Sequence, residues 1–412
     1  MRLNVQGETY MLTVKTSSEA RQIIMDTFGY KLMETEQVTI LDSVGRVLAE
    51  DIVSRENIPD FNRSTVDGYA VNAASTFGCS DSIPAILNFK GEVLISKSPA
   101  FEITKNECAY VPTGGELPQG ADAMVMLEFS EDYGDGTRGM LKPSAPGQHV
   151  TFIGDDVKVG VKVLTVGTRL SARHIGALAA LGYDKVMVYK KPKVAVLSTG
   201  DELVDLDEML KGTMVRDINS YTICAALVEL GCECIRIGII KDELSILEAK
   251  VAEIIKSGVD MLIVSGGSSV GLKDATFKAY DKLGDVLFHG IAIKPGKPTI
   301  FANINDVPCF GLPGHPLAAY YVFNLFAKPL IKNMQGEKAD IKDTKTLPLT
   351  LSIPCNHGRE EYIGIRLVDN KAEPMYAKSG LISVLSKTDG YLRIDRDCEG
   401  LLDGEEVEVE LF

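Results

Sequence analysis

The chain has 412 residues, 45% apolar and 24% charged, and this ordinary globular composition excludes a disordered or collagen-like protein. A single hydrophobic core stops growing near about 250–300 residues, so the length indicates several domains. A net charge of −14 disfavours nonspecific nucleic-acid binding, which depends on a basic surface. Binding of an anionic small molecule stays open, because a local cluster of amides and cations is sufficient for it.

The first part of the chain predicts helices around a β-rich segment. Apolar residues recur at helical spacing over 16–34, with Thr16, Ser17 and Ser18 as candidate caps, and we expect a second helix at 37–49. Between about 52 and 150 short alternating runs are broken by Gly and Pro, which predicts a small β-rich domain. Residues 170–183 then predict another helix.

From residue 192 onward the pattern becomes strand, loop, helix. KVAVLST, CECIRIGII, VDMLIVS and TIFANI are typical of buried strands, and amphipathic helical segments separate them. This alternation predicts a mostly parallel sheet covered on both faces, in which ligands bind outside the carboxyl ends of the strands. After about residue 335 short strands return and predict a C-terminal β domain.

No secretory signal and no apolar run near the roughly 18 residues needed to span a bilayer occur in the chain. We therefore predict a cytoplasmic protein that binds neither membrane nor nucleic acid. Eight cysteines are too few for a disulfide scaffold, and Cys232 and Cys234 without a second pair or a nearby His do not match a zinc site.

The loop SGGSSVG at 265–271 follows an apolar strand and precedes a helix. Its glycines can turn successive N–H groups into one concavity, and the helix dipole adds positive potential, so the loop suits phosphate. A tight strand-to-helix turn without a ligand is the alternative. The loop does not match a P-loop, because Leu272 and Lys273 follow its last glycine. The candidate residues are Ser265, Gly266, Gly267, Ser269 and Gly271.

Carboxylates follow the strand ends at the same predicted edge. Thr199-Gly200-Asp201-Glu202 places two of them after one strand, and Asp242 and Asp274 occupy comparable positions. Considered without the other residues, Asp201 and Glu202 could also cap the start of a helix and bind no ligand. Four acidic groups beside a phosphate loop suit a divalent ion that bridges a phosphate.

Two further loops lie at this edge. IKPGKP at 293–298 fixes Lys294 and Lys297 before prolines, which can offset the charge of a pyrophosphate, although loop lysines are usually solvated. GLPGHP at 311–316 is a defined turn that brings backbone close to a ligand, with His315 near a helix N-terminus. In the β-rich part, Asp67 of NRSTVDGYAV is either a ligand or a turn residue.

Seven motifs in a fixed order resemble the MoeA family of molybdopterin molybdenumtransferases, to which the E domain of gephyrin is related. They are Ser64-x-x-Asp67-Gly68-Tyr69-Ala70, Pro112-Thr113-Gly114 with Pro118-x-Gly120-Ala121-Asp122-Ala123, Gly154-x-Asp156, Ser198-Thr199-Gly200-Asp201-Glu202-Leu203, Ser265-Gly266-Gly267-x-Ser269-x-Gly271, Lys294-Pro295-Gly296-Lys297-Pro298 and Gly311-Leu312-Pro313-Gly314. The resemblance extends over roughly residues 16 to 412.

The resemblance implies a multi-domain α/β plus β fold. Its expected parts are a discontinuous linking and dimerisation domain (1–52 plus 146–188), an inserted β-rich domain (53–145), a three-layer α/β molybdopterin-binding domain (189–334) and a C-terminal β-barrel-like domain (335–412). It also implies a homodimer with a composite active site, in which the DGYA region of one subunit faces the α/β domain of the other.

The implied reaction places molybdenum from molybdate on adenylylated molybdopterin and releases AMP with the help of Mg²⁺. The catalytic residues would be Asp67, Asp156, Glu202, Asp242 and Asp274, with Glu202, Asp242 and Asp274 as metal ligands. The substrate-binding residues would be Ser64, Thr113, Thr199, Gly200, Asp201, Ser265, Gly266, Gly267, Ser269, Gly271, Lys294, Lys297, Pro313, Gly314, His315 and Pro316.

Two positions depart from the family pattern. His315 stands where many members have Asn, and His289-Gly290 stand where some relatives carry a lysine. Molybdopterin adenylyltransferase and molybdoenzyme-maturation proteins are the partners that the resemblance implies. A non-catalytic molybdopterin carrier or scaffold is the alternative function, and tungstate is the alternative metal substrate.

Overall fold

The computed structural model describes residues 14–266, 275–338, 344–355, 358–375 and 382–412. No helix within these ranges is long and apolar enough to cross a membrane. The N-terminal part contains the elements α1 (Ser17–Phe28), β1 (Thr35–Thr39), β2 (Ile52–Val53), β3 (Arg63–Ser64), β4 (Gly68–Val71), β5 (Ala85–Glu92), β6 (Glu107–Val111), β7 (Ala123–Met126), β8 (Ser130–Asp132), β9 (Thr137–Met140), β10 (Val150–Thr151), β11 (Lys162–Leu164), α2 (Ala172–Ala180) and β12 (Lys185–Tyr189).

Helix α1 begins at a capping box, as the sequence predicts. The Thr16 hydroxyl accepts from the Glu19 backbone N–H at 3.2 Å, and the Glu19 carboxylate accepts from the Thr16 backbone N–H at 2.8 Å. The buried face of the helix, with Ala20, Ile24 and Phe28, joins the main hydrophobic core of the molecule. The helix ends at Phe28, six residues before the end of the predicted segment.

The prediction of a helix at 37–49 is wrong. Strand β1 instead pairs antiparallel with β12, with Val38 opposite Val186, and residues 40–45 form turns. The local sequence Val-Thr-Ile is β-branched, which weakens its helix propensity, and the pairing buries Val186 and Leu48 in one cluster with half-buried Val38. The tertiary partner lies about 150 residues away, so the local pattern could not reveal it.

The predicted β-rich segment forms a six-stranded sheet in the order β7-β4-β6-β5-β9-β8. Its core contains Val71, Leu87, Cys108 and Val125. Two short ladders, β2 with β11 and β3 with β10, tie the flanks of this segment together, as β1 and β12 do further out. The chain thus leaves the first helical region and returns to it, although the predicted domain boundaries themselves stay predictions.

The central part alternates strands and helices as predicted. Its elements are β13 (Lys193–Thr199), β14 (Leu203–Val204), β15 (Val215–Arg216), α3 (Asn219–Glu229), β16 (Glu233–Ile240), α4 (Leu244–Lys256), β17 (Met261–Ser265), α5 (Ala275–Leu283), β18 (Asp285–His289), β19 (Ile293–Lys294), β20 (Ile300–Ile304), β21 (Val307–Leu312), α6 (Pro316–Val322) and α7 (Lys328–Met334). A π-helical turn at Phe323–Ala327 joins the last two helices.

The central sheet has the order β16-β13-β17-β21-β20-β18. Strands β16, β13, β17 and β21 are parallel to one another. Strand β20 runs antiparallel to both of its neighbours, so β18 has the direction of the first four strands, which confirms a mostly parallel sheet. One face packs against α3, α6, α7 and α1, and the other packs against α4 and α5, so the domain has three layers. Strands β13 and β17 are buried almost throughout, as strands covered on both faces must be.

The C-terminal part is the predicted β domain. It contains β22 (Thr344–Pro348), β23 (Ile353–Pro354), β24 (Glu360–Val368), β25 (Lys371–Met375), α8 (Ile382–Leu385), β26 (Gly390–Ile394), β27 (Gly400–Leu401) and β28 (Glu406–Leu411). Its main sheet has the order β19-β24-β26-β28-β22, so the short strand β19 of the central part extends it. This junction brings the C-terminal sheet to the edge of the central sheet at which the predicted site residues lie.

Candidate functional site

A cavity of about 1150 Å³ lies at the carboxyl ends of β13, β17 and β21. One wall comes from the loops after these strands and from the start of α3, and the opposite wall comes from the C-terminal sheet. Among the predicted site residues, those that line it are Thr199, Gly200, Glu202, Asp242, Ser265, Gly266, Lys294, Lys297, Pro313, Gly314, His315 and Pro316.

The end of β13 and the end of β16 supply the carboxylates. Glu202 and Asp242 both line the cavity, and the Thr199 hydroxyl donates to the Asp242 carboxylate at 3.4 Å. The Asp201 carboxylate does not line the cavity but accepts from the Asp242 backbone N–H at 3.4 Å. The acidic residues that were predicted at the ends of separate strands, Asp201, Glu202 and Asp242, therefore lie at the same edge of the sheet. Asp274 lies outside the described residues.

Only the first two residues of the predicted phosphate loop, Ser265 and Gly266, are described. Gly266 has φ of 102°, and a Cβ at this position would lie 2.0 Å from the Thr199 carbonyl oxygen. A glycine is therefore required where the loop leaves β17 beside the end of β13. Gly267, Ser269 and Gly271 lie outside the described residues, so the phosphate cradle stays a prediction.

The lysine loop crosses from the central sheet to the C-terminal sheet. Strand β19 pairs parallel with β24, with Lys294 opposite Glu361. The Lys294 ammonium donates to both carboxylate oxygens of Glu361 at 3.0 and 3.1 Å. Glu361 is 5% exposed whereas the Lys294 side chain is about half exposed, so the lysine remains available to a ligand. Lys297 lines the same cavity from the end of the loop.

The turn GLPGHP follows β21 as predicted. His315 is the residue before helix α6, and Pro316 occupies its first position, where a proline costs no hydrogen bond. The carbonyl of Gly314 accepts from the Asn219 side-chain amide at 2.9 Å. The turn is thus attached to helix α3 across the cavity floor.

A polar network at the start of α3 was missed by the sequence analysis. Asp217 is 1% exposed and accepts from the Ser198 hydroxyl at 2.9 Å and from the Ser220 backbone N–H at 3.1 Å. Asn219 donates to the Ser265 hydroxyl at 2.7 Å, while its own carbonyl oxygen is buried and accepts no hydrogen bond from the residues that the structure describes. Local sequence offers only the acidic and amide residues that precede a helix, a common capping pattern.

The C-terminal wall was missed as well. Arg359, Glu361 and Tyr362 of β24 and its approach line the cavity. Burial raises the pKa of the Tyr362 hydroxyl to about 12, so this group stays protonated at neutral pH and donates to Glu360 at 2.9 Å. Nothing in the local pattern of a β strand indicates that its side chains face a site in another domain.

The predicted site residues of the N-terminal part do not line this cavity within the same chain. Asp67 and Thr113 are exposed neighbours, and the Asp67 carboxylate accepts from the Thr113 backbone N–H at 2.7 Å. Ser64 is buried and its hydroxyl donates to the Val66 carbonyl, whereas Asp156 is exposed. Asp67 and Thr113 are therefore brought together with each other but not with the carboxylates of the central sheet.

The donor chemistry of the cavity fits a hard divalent cation. Glu202 and Asp242 offer carboxylate oxygens, and Mg²⁺ is usually held by one or two carboxylates together with substrate phosphates and water. Within the described ranges, no three His, Cys, Asp or Glu side chains form a preformed metal cage. Such a cation would therefore depend on the ligand that it binds with.

Each of the three parts of the chain matches a known protein family, and all three families belong to molybdopterin biosynthesis proteins. Residues 15–182 match the MoeA N-terminal region (domain I and II), residues 195–333 match the domain described as "Probable molybdopterin binding domain", and residues 346–412 match the MoeA C-terminal region (domain IV).

Full-length relatives are similar over almost the whole chain. The molybdopterin molybdenumtransferase of Bacillus subtilis is 37% identical over 392 residues, which is 92% of this chain and 90% of the relative. Gephyrin of Dictyostelium discoideum is 32% identical and spans 87% of this chain, with 55% of its own length matched. A crystal structure of the molybdopterin biosynthesis moeA protein of Pyrococcus horikoshii has a TM-score of 0.85 at 32% identity, with 97% of this chain and all of that chain covered.

Proposed function

This chain belongs to the MoeA family, and we propose that it is a transferase of molybdenum cofactor biosynthesis that inserts molybdenum into molybdopterin. Its substrates would be adenylylated molybdopterin and molybdate. Water would cleave the phosphoanhydride bond between the molybdopterin phosphate and AMP, which leaves a phosphate monoester and releases AMP. The dithiolene sulfurs would bind molybdenum in place of molybdate oxygen, which leaves as water with the thiol protons.

The observation that carries this proposal is the convergence of five separate loops on one cavity. Carboxylates after β13 and β16, the start of the glycine loop after β17, the lysines at and after the end of β19 and the turn after β21 all line it. A volume of about 1150 Å³ has room for a nucleotide-sized ligand, since small-molecule sites commonly measure about 300–1,000 Å³. The chemistry of the lining, cations beside carboxylates, suits a pyrophosphate that binds together with a metal ion.

Individual roles follow from these positions. Lys294 and Lys297 would bind the phosphate oxygens, and Glu202 and Asp242 would hold Mg²⁺. Asp274, outside the described residues, stays the third predicted metal ligand. When bound, Mg²⁺ would neutralise charge on the phosphates during cleavage. Gly266 begins the loop whose backbone amides would bind phosphate.

The site is proposed to be composite. Asp67 and Thr113 form an exposed, hydrogen-bonded pair that does not line the cavity of its own chain. A homodimer in which this pair faces the cavity of the second copy would place Asp67 near the metal-transfer centre, and Ser64 and Asp156 stay predicted site residues of the same N-terminal part. Molybdopterin adenylyltransferase and molybdoenzyme-maturation proteins stay predicted partners.

The direct test is incubation with adenylylated molybdopterin, molybdate and Mg²⁺ while AMP is measured by chromatography. AMP release that requires both molybdate and Mg²⁺ supports the transferase. Tight binding of the adenylylated substrate without release would support a carrier instead, which the relatives named as transferases do not favour. Parallel reactions with tungstate determine the metal preference, and EDTA determines the dependence on the divalent ion.

A further inference from the structure

A second cavity, of about 640 Å³, lies between the central domain and the C-terminal sheet. It shares no lining residue with the first cavity. Its walls come from α3, from the continuous helix that runs from α6 to α7, and from the C-terminal domain. The lining residues that matter here are Ala225, Glu229, Tyr320, Phe323, Lys328 and Phe412.

The distinctive group in this cavity is the ammonium of Lys328. The residue is half-buried at the start of α7, and its ammonium donates to the Asn324 side-chain oxygen at 3.3 Å. It forms no salt bridge with any residue in the described part of the chain. Burial lowers the pKa of Lys328, and the nearby Lys332 lowers it further. A half-buried cation with one long hydrogen bond is costly unless an anion joins it.

The surrounding charges limit what that anion can be. Glu229 lies exposed on the cavity wall, and the charges of Glu410, Glu229 and Glu337, in decreasing order, act against this lowering of the Lys328 pKa. Glu337 is already bound by Arg169, at 2.6 and 3.1 Å. These carboxylates would repel a doubly charged ligand such as phosphate, whereas a single negative charge matches the single ammonium.

The remaining wall is apolar and aromatic. The rings of Tyr320 and Phe412 lie 5.1 Å apart, centre to centre, and Phe323 and Ala225 complete the surface. Binding sites for small organic molecules combine such walls with one or two polar anchors. Aromatic walls favour a flat apolar body beside the charged group.

We propose that this second cavity is a binding site for a small aromatic monocarboxylate, whose carboxylate pairs with Lys328 while its ring packs against Tyr320 and Phe412. The site is independent of molybdenum transfer. Helices α3 and α6 nevertheless connect the two cavities, because their first turns line the first cavity and their later turns line the second.

Benzoate is the probe, with benzyl alcohol as the neutral control and inorganic phosphate as the dianionic control. Binding to the full-length protein is measured by isothermal titration calorimetry and by the shift in Tm. We expect benzoate to bind with a Kd near or below about 1 mM, and the two controls to bind at least roughly tenfold more weakly. Equal affinities for benzoate and benzyl alcohol would show that the Lys328 ammonium does not bind the carboxylate, which would contradict the proposal.

Substitutions at Lys328 and Lys294 test whether benzoate binds in the second cavity. Lys328→Met should weaken benzoate binding roughly tenfold or more, and Lys328→Arg should retain it within a few fold, because a charge-assisted hydrogen bond is lost only in the first. Lys328→Met is expected to fold, since it removes a half-buried charge. Lys294→Met, in the first cavity, should leave benzoate binding unchanged.

A second variant keeps the proposal testable if Lys328 substitutions disturb the fold. Ala225→Leu fills the apolar side of the cavity from the exposed face of α3 and should also reduce benzoate binding. Benzoate binding that survives both Lys328→Met and Ala225→Leu, or that disappears in Lys294→Met, would overturn the proposal. So would the absence of binding to the unmodified protein up to about 10 mM.

Discussion

The Ser198 hydroxyl donates to the buried carboxylate of Asp217 at 2.9 Å, which joins the end of β13 to the start of α3 at the floor of the first cavity. The same carboxylate accepts from Ser220 and forms a salt bridge with Arg236 at 3.4 Å. Two parallel strands and a helix thus share one charged group that is 1% exposed. The position of the cavity floor depends on this charge.

Replacement of Asp217 by Asn is expected to lower the free energy of unfolding by about 3 kcal/mol, because it leaves buried donors without their charged acceptor. Asp205 is the matched control, since it pairs with the same Arg236 at 3.0 Å but is about one-third exposed. For Asp205→Asn we expect a clearly smaller loss of the free energy of unfolding, because solvent screens an exposed ion pair. Urea denaturation measures the free energy of unfolding of both variants. Equal decreases would show that the burial of Asp217 does not determine its contribution to stability.

Gly266→Ala is expected to be far more damaging than Gly258→Ala, although both glycines have positive φ. At Gly258 a Cβ meets nothing within 4 Å, so the cost is that of the backbone conformation, about 1–2 kcal/mol. At Gly266 the Cβ would lie 2.0 Å from the Thr199 carbonyl oxygen, which adds a steric cost and brings the total to about 3 kcal/mol or more. Thermal unfolding of the two variants would show the difference, and similar Tm values would refute the close approach.

The sequence predicted those parts of the fold whose signal is local. KVAVLST coincides with β13, and the helical segment after it contains α3. The strand at β1 was mistaken for a helix because its partner β12 is distant along the chain. Local periodicity carries no information about such a partner, whereas a buried parallel strand is recognisable from its own continuous apolar run.

The candidate site was predicted where it is built from loops after strands, and missed where it is built from side chains of other elements. Thr199 ends β13, and Asp242 and Pro313 follow β16 and β21, so the rule for parallel sheets finds them. Glu361 is 67 residues from its partner Lys294 and lies within a strand, where alternation indicates burial and nothing more. Its role depends on which domain packs against which, and that is a tertiary property.

Lys294→Met should lower kcat/KM for adenylylated molybdopterin by about 10- to 100-fold, which is the value of one or two charge-assisted hydrogen bonds to phosphate. Lys371→Met, an exposed lysine of β25 away from the cavity, should leave kcat/KM unchanged. The same steady-state assay of AMP release serves for both. Equal effects of the two variants would show that Lys294 does not contact the substrate.

Glu361→Gln should raise KM about three- to tenfold with a smaller change in kcat, because the neutral side chain positions the Lys294 ammonium less firmly. In the Lys294→Met background the same change should have almost no further effect on KM, since the two residues act through one interaction. Additive effects of the two substitutions would indicate that Glu361 stabilises the cavity wall independently of Lys294.

The composite site makes a quantitative prediction for mixed subunits. Asp67→Asn and Lys294→Met should each abolish most AMP release, yet a mixture of equal amounts, after dissociation and reassociation, should recover about a quarter of the unmodified activity. Half of the dimers are then heterodimers, and in each of these one site combines an intact Asp67 with an intact Lys294. If both residues served the cavity of their own chain, every site would carry one of the two substitutions and mixing would recover nothing. Size-exclusion chromatography with light scattering confirms that dimers are present, and unmixed samples of each variant taken through the same reassociation provide the baseline.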